Sequence, residues 1–236
     1  MATVTCRILP YSVADGPHNM AADEVMLQTA SRGSACLRFY GSSEATVSLG
    51  YFQSHQCLQQ ESSLAALPWV RRITGGKTLV HHHELTYALA LPPGPPWQGR
   101  YSWLERMHGI ITAAITQIGV DNLSLHHGDP HILGQVLCFQ QHTSGDGLCH
   151  GNKVIGSAQR KQRKSLLQHG AILLSRSPYT PALSGLRDIT GLSLPMDEIR
   201  KCIQSELERH TRWQVEAHSW TNQEVQTIEE IGRAHV

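Results

Sequence analysis

Three groups of residues in this 236-residue chain could carry chemistry. Residues 71–91 read RRITGGKTLVHHHELTYALAL: two arginines, a glycine pair, three consecutive histidines and a glutamate. Residues 153–174 read KVIGSAQRKQRKSLLQHGAILL, with small residues followed by a basic run. Between them lie Cys138 and Cys149, two of six cysteines. A thiolate is a good nucleophile and can hold an acyl chain as a thioester. A lysine ammonium such as that of Lys153 could stabilise a thiolate, or the carbonyl oxygen of a tetrahedral intermediate. Gly75, Gly76 and the Gly156, Ser157, Ala158 segment can bring backbone N–H groups close to a ligand. Each group also has a plainer reading. Most free cysteines are small buried apolar side chains. A lysine at a turn is usually a surface lysine, and the 71–91 stretch reads as a β-hairpin with a tight turn. Residue types alone do not choose between these readings. The three histidines 81–83 have no acidic or thiol partner at a suitable spacing, so no metal site is expected.

The elements that must position these residues follow from pattern. Around the glycine pair, Thr78, Val80 and His82 alternate with Leu79, His81 and His83. Leu85, Tyr87, Leu89 and Leu91 then alternate with Thr86, Ala88 and Ala90, which predicts two strands. A first strand is expected at 3–13 and a helix at 19–31, stopped near Gly33. Strands follow at 36–40 and 46–50, then a short helix at 53–64. Residues 92–100, PPGPPWQGR, read as an exposed connection. Ser102 and Glu105 have capping-box spacing ahead of a helix that reaches about Gly119. Residues 121–135 read as loop. Strand patterns resume at 136–139, 147–150, 153–158 and 171–174, and helices near 196–209 and 221–231 close the chain. Strands first, with a few helices laid against them, indicate an α+β fold with a central mixed sheet. The expected division is 1–190 for a catalytic domain and 191–236 for a small helical extension.

The two long stretches resemble the biotin/lipoate protein ligase and lipoate transferase superfamily. The first motif of that superfamily stands here as Arg71-Arg72-Ile73-Thr74-Gly75-Gly76, then His81, then Glu84-Leu85-Thr86-Tyr87. The second stands as Gly151, Lys153, Gly156-Ser157-Ala158-Gln159 and Leu167-Gln168-His169-Gly170. NMAADE at 19–24 and LRFYGS at 37–42 match its opening, with Ser42 where tryptophan is usual. The resemblance is nearest to the cysteine-dependent octanoyltransferases, which are similar to lipoate-protein ligase A. They carry a CF pair just before the second motif, and Cys138-Phe139 stands at that place.

The resemblance implies a biotin/lipoate ligase-like catalytic domain and an acyltransferase. Cys138 would carry the acyl group and Lys153 would assist it, with Cys149 the rival nucleophile. Arg72, Thr74, Gly75, Gly76, His81, Gly156, Ser157, Ala158 and His169 would bind substrate; His81 either contacts the acyl group or packs beside it. The implied partners are acyl carrier protein as donor and a lipoyl-domain protein as acceptor, either the glycine cleavage H protein or a 2-oxoacid dehydrogenase E2. Three alternatives stay open: an ATP- and Mg-dependent lipoate ligase, an amidotransferase between lipoyl domains, and a non-catalytic binding module. Lys77 and the ELTY segment depart from the ligase pattern and, with Cys138, favour the transferase, which needs no cofactor. HHHE, in place of the commoner HDxE, and the poorly matching loop 140–150 keep the binding module open.

Bulk properties narrow the class further. Hydrophobic residues make up 40% and charged residues 17%, the composition of a globular protein. A net charge of +1 does not suggest a dedicated nucleic-acid or membrane binder. No apolar run is long enough to span a bilayer, and the N-terminus has no signal-peptide pattern. Six cysteines without a CxxC pair suggest reduced thiols, hence a cytoplasmic protein, expected to be a monomer. The basic run Arg160, Lys161, Arg163 and Lys164 is either a solvated loop or a docking patch for an acidic carrier.

Overall fold

The computed structural model describes residues 4–94, 102–133 and 136–234. Most of the proline-rich connection at 92–100 lies outside them, as does residue 3 of the first strand.

The chain opens with β1 (Thr5–Ile8) and β2 (Ser12–Ala14), followed by α1 (Gly16–Ala30). The helix begins three residues earlier than its apolar pattern suggests. Asp15 caps it by accepting from the His18 N–H at 2.9 Å, and Pro17 is preset for the first turn. Next come β3 (Ala35–Ser42), β4 (Thr46–Leu49), a 3-10 turn (His55–Gln60), the short α2 (Ser62–Ala65), β5 (Trp69–Arg71), β6 (Leu79–His81) and β7 (Glu84–Leu91). Then follow α3 (Trp103–Gln117), β8 (Leu123–Leu125), β9 (His131–Ile132), a 3-10 turn (Cys138–Gln140), β10 (Gln141–His142), β11 (Gly147–Cys149), β12 (Asn152–Gln162) and β13 (Ser165–Leu173). The chain closes with α4 (Leu186–Thr190), α5 (Met196–Thr211), β14 (Gln214–Ala217) and α6 (Asn222–Ala234).

A mixed sheet runs in the order β14-β1-β3-β7-β13-β12-β11-β8, with β2 beside β3. The fold is α+β, as the pattern indicates. Strand β7 lies in the middle, and all eight of its residues are buried. Its alternation separates two layers. Leu85, Tyr87, Leu89 and Leu91 share a core with Met107, Ile111 and Ile115 of α3 and Ile199, Ile203 and Leu207 of α5. Ala88 and Ala90 face the other way, against Met26, Leu27 and Ala30 of α1. Small side chains there let α1 lie close on the sheet. Its outer side, Ala21, Ala22 and Val25, is covered by Ile228 of α6, which explains a helix buried almost all round.

Four sequence expectations change. Residues 71–91 are not a hairpin: β5 and β6 both flank β4 in a separate three-stranded sheet, and β7 enters the large one. Residues 138–140 form a 3-10 turn where a strand was expected, because Lys153 binds two of the local carbonyls. The loop 121–135 contains β8 and β9. The basic run is a hairpin, with Arg163 and Lys164 as its two turn residues at φ 48° and 66°. The C-terminal stretch carries two helices, as expected, and also β14, which pairs in parallel with β1.

Candidate active site

A cavity opens where the two sheets meet. Its walls include Cys138, Phe139 and Leu79 on one side, and Met20, Tyr40 and Thr86 from the layer of α1. Arg72, His81, Gly156, Ser157, Ala158 and His169, all expected from sequence, line it too. Cys138 is the one cysteine on this wall among the described residues. Cys149, the rival, is fully buried in β11; burial pushes its thiol upward, and its sulfur points to the Asp121 carbonyl. Thr74, Gly75, Gly76 and Lys153 do not line the cavity and act behind it.

Cys138 is half-buried on its 3-10 turn. Its backbone N–H donates to the Thr78 carbonyl at 2.8 Å, which ties the turn to the start of β6. From beneath, Lys153 Nζ meets Asp146 Oδ2 at 2.7 Å and donates to the carbonyls of Gln141 at 2.9 Å and Cys138 at 3.4 Å. An ammonium has three protons, and these partners take all three. Lys153 therefore acts on Cys138 through the backbone of the turn. The expectation of a donor aimed at the thiolate or the carbonyl oxygen does not match this arrangement. Gly156 lets the lysine pass: a Cβ there would lie 2.8 Å from Lys153 Cε and 3.3 Å from the Phe139 ring.

The cation near the sulfur is Arg72, which is buried. Nη1 donates to the Ser48 carbonyl at 2.8 Å and to Ser48 Oγ at 3.2 Å. Nη2 donates to the carbonyls of Gly75 and Lys77 at 2.9 and 2.6 Å, and Nε to Gly75 at 3.2 Å. None of these partners is a carboxylate, so the charge is held by neutral oxygens. Burial lowers the guanidinium below the usual arginine range, and the Cys138 sulfur pulls it back up. The two groups therefore attract when the sulfur is ionised.

Two histidines complete the wall, each fixed by a carboxylate. His81 Nδ1 donates to Glu84 Oε1 at 2.9 Å, and its Nε2 meets Ser48 Oγ at 2.9 Å. A carboxylate only accepts, so the ring orientation follows. Glu84 is held in turn by the His82 N–H and the Thr86 hydroxyl. His169 Nδ1 donates to Asp23 Oδ2 at 2.8 Å, and Nε2 meets Thr74 Oγ1 at 2.6 Å. Asp23 also accepts from Arg38 and from the Tyr40 hydroxyl. Burial, with Asp23 alongside, pushes the Tyr40 phenol far above its ordinary range and keeps it a donor. Thr74 thus orients a cavity residue. His82 and His83 stack on each other at 3.7 Å, away from His81. Among the described residues, no group of three His, Cys, Asp or Glu could hold a metal ion.

Strand β12 supplies the remaining polar wall. Its pairing with β11 ends at Ile155, so from Gly156 onward only β13 occupies an edge. Among the described residues, the other edge has no strand partner there. Ser157 is held by His108 Nε2 at 2.8 Å and Gln168 Nε2 at 3.2 Å. His108 is fully buried in α3, and its Nδ1 donates to the Gly145 carbonyl at 2.6 Å. Sequence reasoning missed His108, Asp146, Ser48, Asp23 and Met20. Asp23 sits far along the chain from His169, Asp146 lies in the poorly matching 140–150 loop, and His108 is one of fifteen histidines with no motif around it.

The family model described as the lipoyl protein ligase A/B catalytic domain matches residues 15–209. An octanoyltransferase LipM from Kyrpidia tusciae is 31% identical, over 87% of this chain and 77% of its own length. One from Moorella thermoacetica is 33% identical, over 85% and 74%. A lipoate-protein ligase A crystallised with ATP superposes with a TM-score of 0.77 at 18% identity, over 98% of this chain and 95% of that one, a likeness of fold. This chain belongs to the lipoyl protein ligase A/B catalytic domain family.

Proposed function

We propose that this protein is an octanoyltransferase of protein lipoylation that works through a Cys138 acyl-enzyme. In the first half-reaction the Cys138 thiolate attacks the thioester carbonyl of octanoyl-acyl carrier protein. The tetrahedral intermediate collapses, the carrier thiol leaves and takes up a proton, and octanoate stays on Cys138 as a thioester. In the second half-reaction a lysine amine of a lipoyl domain attacks that carbonyl. An amide forms, the amine gives up a proton and Cys138 leaves as thiolate. A thioester is already activated, so neither half-reaction requires ATP or magnesium. The acceptor is the glycine cleavage H protein or a 2-oxoacid dehydrogenase E2, and the setting is the cytoplasm, with the enzyme a monomer.

The observation that carries this reading is the position of Cys138 on the cavity wall, with the buried Arg72 on the same wall and, among the described residues, no carboxylate paired with it. The thiolate is the nucleophilic form of cysteine. Arg72 is braced by neutral oxygens, so its charge remains available to the sulfur. Both names among the relatives, octanoyltransferase LipM, agree. The test is modification of a lipoyl domain by octanoyl-acyl carrier protein without nucleotide, run beside free lipoate with ATP and magnesium. Octanoylation is expected in the first mixture. Modification in the second mixture alone, unaffected by Cys138→Ala, would make the protein a ligase.

A further inference from the structure

The most exposed large aromatic among the described residues lies next to the arginine–glycine loop of the site. Phe52 is 88% exposed and Tyr51, packed edge-to-face on it at 5.0 Å, is 45% exposed. A lone mobile aromatic would mean little, but this pair stands on a braced loop. Arg71 Nη1 donates to the carbonyls of Gly50, Tyr51 and Gln53. The Gly50 N–H donates to the Gln53 side chain, and the Tyr51 N–H to the Thr74 carbonyl. Arg160 lies over the Tyr51 ring at 4.9 Å and donates to the Ile73 carbonyl. The aromatic pair is thereby joined to the basic β12–β13 hairpin and to the arginine–glycine loop, both of which border the cavity.

Charge on this face is one-sided. Besides the buried Arg72, the contacting segments 50–60, 71–83 and 156–169 contain Arg71, Lys77, Arg160, Lys161, Arg163 and Lys164 and no Asp or Glu; the acids that follow them are Glu61 and the buried Glu84. With a net charge of +1 for the whole chain, the remainder is net negative. Exposed aromatics joined through Arg160 to a basic hairpin have the make-up of a docking surface with an apolar anchor and an electrostatic rim.

We propose that Phe52 and Tyr51, with the hairpin tip Lys161, Arg163 and Lys164, form the docking surface for the acyl donor, an acidic carrier domain. The donor fits better than the acceptor because its pantetheine arm carries a phosphodiester that must cross this basic rim to reach Cys138. An acceptor lysine brings a positive charge instead. This inference rests on the octanoyl-transfer reading for the identity of the donor.

The test uses the full chain and two variants. Phe52→Ala removes the anchor. Arg163→Asn with Lys164→Gly removes two charges and supplies the Asn-Gly pair that a two-residue turn with positive φ prefers, which keeps the hairpin. Binding of octanoyl-acyl carrier protein is measured in the Cys138→Ala background, so that docking is read even if the chemistry is otherwise. Acylation of Cys138 by the carrier and by octanoyl-pantetheine is then compared in the intact protein. Each variant is expected to weaken carrier binding by about tenfold or more. KM for the carrier should rise with it, while acylation by octanoyl-pantetheine is unchanged. Unchanged carrier binding, equal losses with both donors, or a larger loss for a lipoyl domain than for the carrier would overturn the proposal. Normal docking without acylation of Cys138 by either donor would leave the surface standing and remove the octanoyl-transfer reading.

Discussion

At the scale of residues, the site is a set of side chains held by buried partners. Lys153 and Asp146 are both almost fully buried, so losing either leaves an uncompensated charge. Lys153→Ala and Asp146→Ala should each cost about 3 kcal/mol in chemical denaturation. A displaced turn should also slow Cys138 acylation by roughly a hundredfold, as a misplacement of about 1 Å can. A folded Lys153→Ala enzyme with normal acylation would show that the turn does not depend on the lysine. His108 gives a pH signature. Burial lowers it from its ordinary 6.5 to about 4, while its backbone bond to Gly145 and the Asp146 charge pull the other way. The folded state therefore binds this proton less readily than the unfolded chain. Its contribution is complete above pH 6.5 and is lost as pH falls toward 4, a change of about 3 kcal/mol. Denaturation midpoints measured from pH 7 to 4 should fall more steeply for the native protein than for His108→Phe. Cys138, Lys153, Arg72 and His81 are legible in sequence because motifs mark them. Their partners are not read off so directly: Asp23 falls in the matched 19–24 segment, but neither it nor Asp146 nor Ser48 carries a local sign of the side chain it binds.

At the scale of elements, strands were read more easily than their pairing. Alternation identified β7 and its two faces, but it could not show that β6 and β7 belong to different sheets. That separation creates the cavity: His81 ends a strand of the small sheet, and Glu84 begins one of the large sheet. The 3-10 turn at Cys138 was hidden because Leu137, Cys138 and Phe139 are apolar like a strand, while a lysine fifteen positions later decides their geometry. Two substitutions probe the elements. A Cβ on Gly50 would lie 2.0 Å from the Gly76 carbonyl oxygen, and backbone cannot swing aside as a side chain can. Gly50→Ala should cost about 1–3 kcal/mol and slow acylation, because the arginine–glycine loop must move. At the β12–β13 turn, Arg163→Asn with Lys164→Gly should raise stability by about 1 kcal/mol, since both natural residues occupy the left-handed region. A thermal or denaturant melt reads both changes.

At the scale of the molecule, a large sheet with helices on both faces and a small three-stranded sheet meet around one thiol. The fold was legible because two long motifs fall in order on strands that the hydrophobic pattern also marks. The C-terminal strand β14 was not, as its four residues show no clear alternation and it forms only by pairing with β1 at the other end of the chain. Donor, acceptor and chain length all converge on whether Cys138 carries the acyl group. The direct measurement is intact mass of the protein after incubation with octanoyl-acyl carrier protein, before and after neutral hydroxylamine, for the native enzyme and Cys138→Ala. The expected result is a single octanoyl adduct on the native enzyme, released by hydroxylamine and missing from Cys138→Ala. An adduct that persists undiminished on Cys138→Ala would contradict it and move the nucleophile to another residue.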